Sequence, residues 1–351
     1  MSAYVEVWGR LRRAAATGFL SLPEPTLRRI VGKPVRSPEG LTLDVQSQAL
    51  LWLMRAVGES AEYSDVARAR KTIDRSGRVL APCEGKPLRA RDCELPGAVG
   101  PRRARLYASL EADQLAPALV WLHGGGFVIG SIESHDGVCR ALASEASVNV
   151  LSVDYRLAPE HRFPAGVDDA VAITEWVLAN GEKLGIDPEA VAIGGDSAGG
   201  NLAAVVAHSL RASARRPVFQ VLAYPATDAT CRQPSHRFFA EGLVLSARTI
   251  QWFLDHYIAD RSLEIEPRVS PLFTADLAGL PPALVITAGF DPLRDEGKAY
   301  ADRMRGAGVP VQYVCAQGSL HGFLNTAGAV RESARMLALT ADAVRRALHR
   351  A

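Results

Sequence analysis

The sequence predicts an α/β fold with a mostly parallel central sheet covered by helices on both faces. Three observations carry this expectation. From about residue 103 onward, short apolar runs alternate with segments of helical periodicity. Several of the runs are continuously apolar and rich in Val, Ile and Leu, as in strands buried on both faces. Hydrophobic residues make up 48% and charged residues 22% of 351 positions, a globular balance that excludes a disordered, collagen-like or coiled-coil chain.

In chain order, residues 103–109, 118–122, 148–153, 191–193, 218–223, 283–287 and 311–315 read as strands. Helices are expected over 135–146, 167–179, 198–212, 294–307 and 327–348. Two stretches break the alternation. Residues 1–75 look helical and amphipathic, and 226–270 carry a further helix near 247–258 with Trp252, Phe253 and Tyr257. They are expected to form a two-part lid over the carboxyl edge of the sheet, where ligands of open α/β sheets bind. The core is then 76–225 together with 271–351.

Charge and cysteine content narrow the function. Forty Lys and Arg face 38 Asp and Glu, a net charge of +2, too balanced for a chain whose main task is gripping nucleic acid or an anionic membrane. No run approaches the ~18 apolar residues of a spanning helix, so no stable membrane insertion is expected. Arg10, Arg12 and Arg13 precede an apolar stretch, but Gly18 and Pro23 break it and no cleavage site closes it. It reads as part of the fold, and the protein as cytoplasmic. Cys83, Cys93, Cys139, Cys231 and Cys315 are odd in number and lack metal-ligand or CxxC spacing, so they read as free thiols and no metal is expected.

Gly195-x-Ser197-x-Gly199 follows a strand and precedes an Ala-rich helix. Glycines on either side allow the tight turn that lifts a serine hydroxyl above a sheet. Composition alone yields this pattern about 0.16 times per chain, so the strand–turn–helix context gives it weight. The tetrad His123-Gly124-Gly125-Gly126 is sharper, with a chance expectation of about 0.005. Its glycines free backbone N–H groups to converge on one point, the arrangement an anionic tetrahedral oxygen needs.

A serine nucleophile requires a base and an orienting carboxylate. Chain order Ser, Asp, His selects His321, just after the 311–315 strand. Asp291 at the tip of the 283–287 strand is the expected acid. Asp295 and Glu296 fall in the next helix's first turn, where acids stabilise the dipole.

Five motifs in order, HGGGF at 123–127, DYRLAPEHRFPA at 154–165, GDSAGGN at 195–201, DPLRDEG at 291–297 and HGF at 321–323, resemble the bacterial hormone-sensitive-lipase-like esterases of the α/β-hydrolase superfamily. The resemblance covers about residues 86–330. It implies the α/β-hydrolase fold and hydrolysis of short-to-medium acyl carboxylic esters by Ser197, His321 and Asp291. It also implies an oxyanion hole from the Gly125, Gly126 and Ala198 amides, with Gly124 beside them, and no cofactor. Tyr155, Arg156 and Glu160 are expected to brace the glycine loop. Phe127, Asp196, Phe239, Trp252 and Phe253 are the candidate substrate contacts, because the lid's aromatics can line a closed apolar pocket. The partner is a small-molecule ester, and a homodimer stays open. Rival readings are a lipase on longer acyl glycerides, an amidase, and a ligand-binding protein without catalysis.

Overall fold

The structure, a computed structural model, describes residues 2–58, 63–82, 88–109 and 115–349, with backbone alone for 2–10; Cys83 lies outside them. Eight strands form one sheet: β1 (Leu88–Pro96), β2 (Pro101–Ser109), β3 (Ala116–Leu122), β4 (Asn149–Val153), β5 (Ile186–Asp196), β6 (Phe219–Ala223), β7 (Ala283–Phe290) and β8 (Val311–Leu320). Their spatial order is β1-β2-β4-β3-β5-β6-β7-β8. The β1/β2 and β2/β4 pairs are antiparallel and every other pair is parallel.

The helices are α1 (Ser2–Leu20), α2 (Glu24–Val31), α3 (Val45–Ala56), α4 (Val66–Val79), α5 (Ile132–Ala146), α6 (Ala165–Asn180), α7 (Ala198–Ser209), α8 (Pro234–Phe238), α9 (Ala247–Tyr257), α10 (Arg294–Gly306) and α11 (Arg331–Leu348). On one face α5 and α11 bury Tyr107, Trp121, Val150 and Ile286. On the other, α6, α7 and α10 cover Val120, Ile193, Leu222 and Val285. Both faces of the central strands are therefore dry, which is why their sequences run apolar instead of alternating. Among the described residues no helix is long and apolar enough to cross a membrane.

Every expected strand and helix is present, and the differences have local causes. Strand β1 was not expected, because Leu-Arg-Ala-Arg-Asp-Cys-Glu-Leu-Pro exposes most of its side chains and carries no apolar signal. It is an edge strand held by backbone pairing and by Asp92, which accepts from Arg103 at 2.9 Å and from Arg105 at 2.5 Å. Helix α5 starts three residues earlier than expected because Ser131 and Ser134 form a reciprocal cap at 3.2 and 2.9 Å. Helix α11 starts four residues later than expected, after a 3₁₀ turn over Phe323–Thr326.

The two stretches that break the alternation meet each other. The Tyr63 ring lies 5.6 Å from Trp252 and 5.9 Å from Phe253, and Arg55 donates to the Gly242 carbonyl at 2.8 Å. Leu43 and Leu51 of the first stretch cluster with Phe239 of the second, and with Phe290 and Leu320 at the carboxyl ends of β7 and β8.

Candidate active site

Strand β5 ends at Asp196 and α7 begins at Ala198, leaving Ser197 alone on the turn at φ 55° and ψ −119°. A non-glycine residue rarely holds a positive φ, and here the surroundings enforce it. A Cβ on Gly195 would lie 2.4 Å from the Leu122 carbonyl oxygen, and one on Gly199 only 1.9 Å from the same atom. Both flanking positions therefore have to be glycine for the turn to pack against β3.

Three side chains from three strand ends converge there. His321 Nε2 is 2.9 Å from Ser197 Oγ, and His321 Nδ1 is 2.7 Å from Asp291 Oδ2. Asp291 is fully buried, and its other oxygen accepts the Leu293 N–H at 2.9 Å. A carboxylate only accepts, so Nδ1 carries the proton, Nε2 of the neutral ring is the acceptor, and the serine hydroxyl donates to it. Burial opposes a charged His321. The field and hydrogen bond of Asp291, with Asp196 and Glu296 behind them, outweigh that cost and raise its pKa above the ordinary value. Such a relay can take a proton from a hydroxyl and return it to a leaving group.

The glycine loop is held by its back. Tyr155 OH donates to the His123 carbonyl at 2.8 Å, and the two rings stack at 4.5 Å. Burial, with His135 alongside, lowers the His123 pKa to about 4, so this ring is neutral. The Gly124 N–H donates to Asp196 Oδ1 at 3.1 Å, which ties the loop to the serine turn. The amides of Gly125, Gly126 and Ala198 donate to no described residue. Gly126 adopts φ +58°, and a Cβ there would lie 2.2 Å from the Phe253 ring, so α9 sits directly on the loop. Arg156 pairs with buried Asp169 at 2.7 Å and Glu160 with Arg70 at 2.7 Å, both at the loop's periphery.

Three of the expected site residues are engaged by other parts of the fold. Gly124, expected beside the oxyanion donors, has its N–H already committed to Asp196. Asp196, expected among the substrate contacts, is a buried brace that also accepts from His135 Nε2 at 3.1 Å. Burial works against its charge, yet His135 and the Gly124 amide hold its pKa below the usual carboxylate value. Phe239, also expected at substrate, instead packs 5.7 Å from Phe290 beneath the Arg294 guanidinium. Phe127 follows Gly126 and Phe253 lies on that glycine, while Trp252 packs edge-on against Phe253 at 5.4 Å. Phe127 stacks on Tyr257 at 3.8 Å and lines a cavity of about 40 Å³ with Ile250, Leu254, Val269 and Leu293. A second cavity of about 600 Å³, lined by Arg13, Arg78, Arg105, Glu133, Asp136 and Arg140, touches none of the relay residues.

The rival carboxylates lie elsewhere. Asp295 accepts from Arg294 at 2.7 Å and from the Ser235 N–H at 2.9 Å. Glu296 pairs with His236 at 2.6 Å in the interior. Sequence reading missed this pair, since nothing local links residues sixty positions apart. Burial opposes a charged His236, but the side chains of Cys231 and Glu296 push its pKa up to about 10. A folded-state pKa raised above the unfolded ~6.5 stabilises fully below that value and is lost as pH rises through about 10. Thermal melts should therefore show stability falling from pH 7 to pH 10.5 in the parent, and falling less in His236→Gln. Equal losses would contradict the assignment.

Comparison with known proteins places this geometry. The family model for the alpha/beta hydrolase fold matches residues 119–325. The chain is 40% identical over 318 residues to the carboxylic ester hydrolase LipN of Mycobacterium tuberculosis, covering 87% of this chain and 83% of that one. It is 38% identical over 285 residues to an ethyl acetate hydrolase of Pseudomonas putida, covering 80% and 90%. Among solved structures, an ester hydrolase from the Lake Arreo metagenome superposes with a TM-score of 0.82 at 39% identity, covering 87% of this chain and 98% of that chain. A hyperthermophilic esterase of Pyrobaculum calidifontis gives 0.79 at 40% identity, covering 85% and 97%. With its sheet order, serine turn and glycine loop in place, the chain belongs to the α/β-hydrolase superfamily and, within it, to the hormone-sensitive-lipase-like esterases that its motifs resemble.

Proposed function

We propose that this carboxylic ester hydrolase cleaves short-to-medium acyl esters through an acyl-enzyme on Ser197. The observation that carries the reading is the continuous Asp291–His321–Ser197 chain at 2.7 and 2.9 Å, together with Gly125, Gly126 and Ala198 amides that donate to no described residue. Ser197 Oγ attacks the ester carbonyl as His321 Nε2 takes its proton, and Asp291 stabilises the imidazolium that forms. The Gly125, Gly126 and Ala198 amides stabilise the tetrahedral oxyanion. His321 then protonates the leaving alcohol, and a water activated by the same ring releases the acid. Every step is carried by side chains and amides of this chain. Relatives named carboxylic ester hydrolase and ethyl acetate hydrolase support the bond type and a small-molecule substrate.

Residues 1–75 and 226–270 serve as a two-part cap in this reading. Their ring contacts across Tyr63, Trp252 and Phe253 favour packed closure over a wide lipid-facing groove. Two measurements test this. Activity on p-nitrophenyl esters should peak between acetyl and octanoyl and be low on palmitoyl. Rates on tributyrin should rise smoothly across its solubility limit, and a jump on crossing it would sink the esterase reading in favour of a lipase.

A further inference from the structure

The buried pair between α8 and α10 lies outside the relay but is fastened to the segment that holds it. His236 and Glu296 side chains are 6% and 1% exposed, with Nε2 donating to Oε2 at 2.6 Å. The other Glu296 oxygen accepts the N–H groups of Thr227 at 2.6 Å and Asp228 at 3.1 Å, the backbone that follows β6. Ser235, adjacent to His236, donates its hydroxyl to the Pro292 carbonyl at 2.6 Å and its N–H to Asp295 at 2.9 Å. A five-residue helix thus grips both ends of the short stretch that presents Asp291.

We propose that His236 is a positioning residue for the hydrolytic relay: with Glu296 it pins the segment carrying Asp291 and balances the charge of that buried glutamate. This rests on the serine-hydrolase reading above. The charges facing each partner are few. His236 faces Glu296 from α10, with Asp228 and Cys231 lining the same cavity. Asp228 is occupied by Thr230 at 2.9 Å and Gln233 at 3.5 Å. His321 is bonded to Asp291, the fields of Asp196 and Glu296 also favour its charged form, and the Tyr224 ring lies edge-on at 5.0 Å. Arg294, on the same helix as Glu296, is committed to Glu39 at 2.6 Å and Asp295 at 2.7 Å. Removing the His236 cation therefore leaves Glu296 without a compensating charge. A buried unpaired carboxylate is costly and favours the protonated form of a neighbouring imidazole.

The test is the pH dependence of kcat/KM on p-nitrophenyl acetate in the full chain, which reports titration of the free enzyme's base. His236→Gln keeps a hydrogen-bond donor but loses the charge, so the acid limb should move up by about half a pH unit, with kcat lowered several-fold. In His236→Gln/Glu296→Gln no net charge remains, and the limb should return to within about 0.2 unit of the parent. A merely structural pair would leave the limb in place in the single variant, and that result would overturn the inference. So would a double variant displaced as far as the single one. Should the single variant not fold, the double variant decides alone, an upward displacement counting against the proposal. Ser197→Ala run alongside separates the two readings. If it stays active, the hydrolase reading fails; if it is dead and the limb does not move, only this inference does.

Discussion

Ser197→Ala should fold as the parent does and lose turnover by about four to six orders of magnitude, the cost of removing a member of a unit that works only when complete. The loss follows from geometry. No other hydroxyl lies within hydrogen-bond reach of His321 Nε2 among the described residues, so no neighbour can substitute. What activity persists would come from the Gly125, Gly126 and Ala198 amides polarising a bound ester for attack by water. Stability should hardly change. Deleting one oxygen leaves the turn's glycine contacts with Leu122 intact, and alanine at φ 55° is no worse placed than serine. Circular dichroism melts and turnover of p-nitrophenyl acetate check both halves. Retention of more than a few per cent of the parent rate would remove Ser197 as nucleophile.

Asp291→Asn should lower kcat by about four orders of magnitude while leaving the fold intact. Asparagine fills the same volume, and its carbonyl oxygen can still accept the Leu293 N–H. Its amide, however, donates to His321 Nδ1, which drives the proton to Nε2 and leaves no acceptor for the serine hydroxyl. Asp295→Asn is the control, because the two acids are four residues apart and only one faces the imidazole. That carboxylate contacts Arg294 and the Ser235 amide, so its loss should cost modest stability and little turnover. If the Asp295 variant were the inactive one, the acid would have been misassigned.

Most of the architecture was legible because buried parallel strands and the helices between them leave opposite periodic signals. Residues 118–122 and 283–287 could hardly read otherwise. Strand β1 was not legible, since an exposed antiparallel edge such as 88–96 is specified by its neighbour's backbone rather than by its own hydrophobicity. That Ser197, His321 and Asp291 meet was legible from motif and chain order, because a strained serine turn needs glycines on both sides and the acid and base follow it in the chain. The supporting residues were not. Nothing near Asp196 in sequence announces that its carboxylate faces Gly124 and His135 from 72 and 61 positions away. The same distance hid the His236–Glu296 pair. Phe239 shows the converse: an aromatic in the 226–270 stretch reads as a pocket lining, and the tertiary fold packs it onto Phe290 and Arg294. Phe253, fourteen residues further along in α9, landed on Gly126 instead.

The central claim, covalent catalysis at Ser197, is tested most directly by trapping the intermediate. The full chain is mixed with excess p-nitrophenyl butyrate, quenched in acid within milliseconds, digested, and mapped by mass spectrometry. The account expects a burst of p-nitrophenol approaching one per chain and a butyryl group on the peptide that contains Ser197, absent from Ser197→Ala. Turnover by the parent with no covalent label at any time, or a label on another residue that persists in Ser197→Ala, would contradict it.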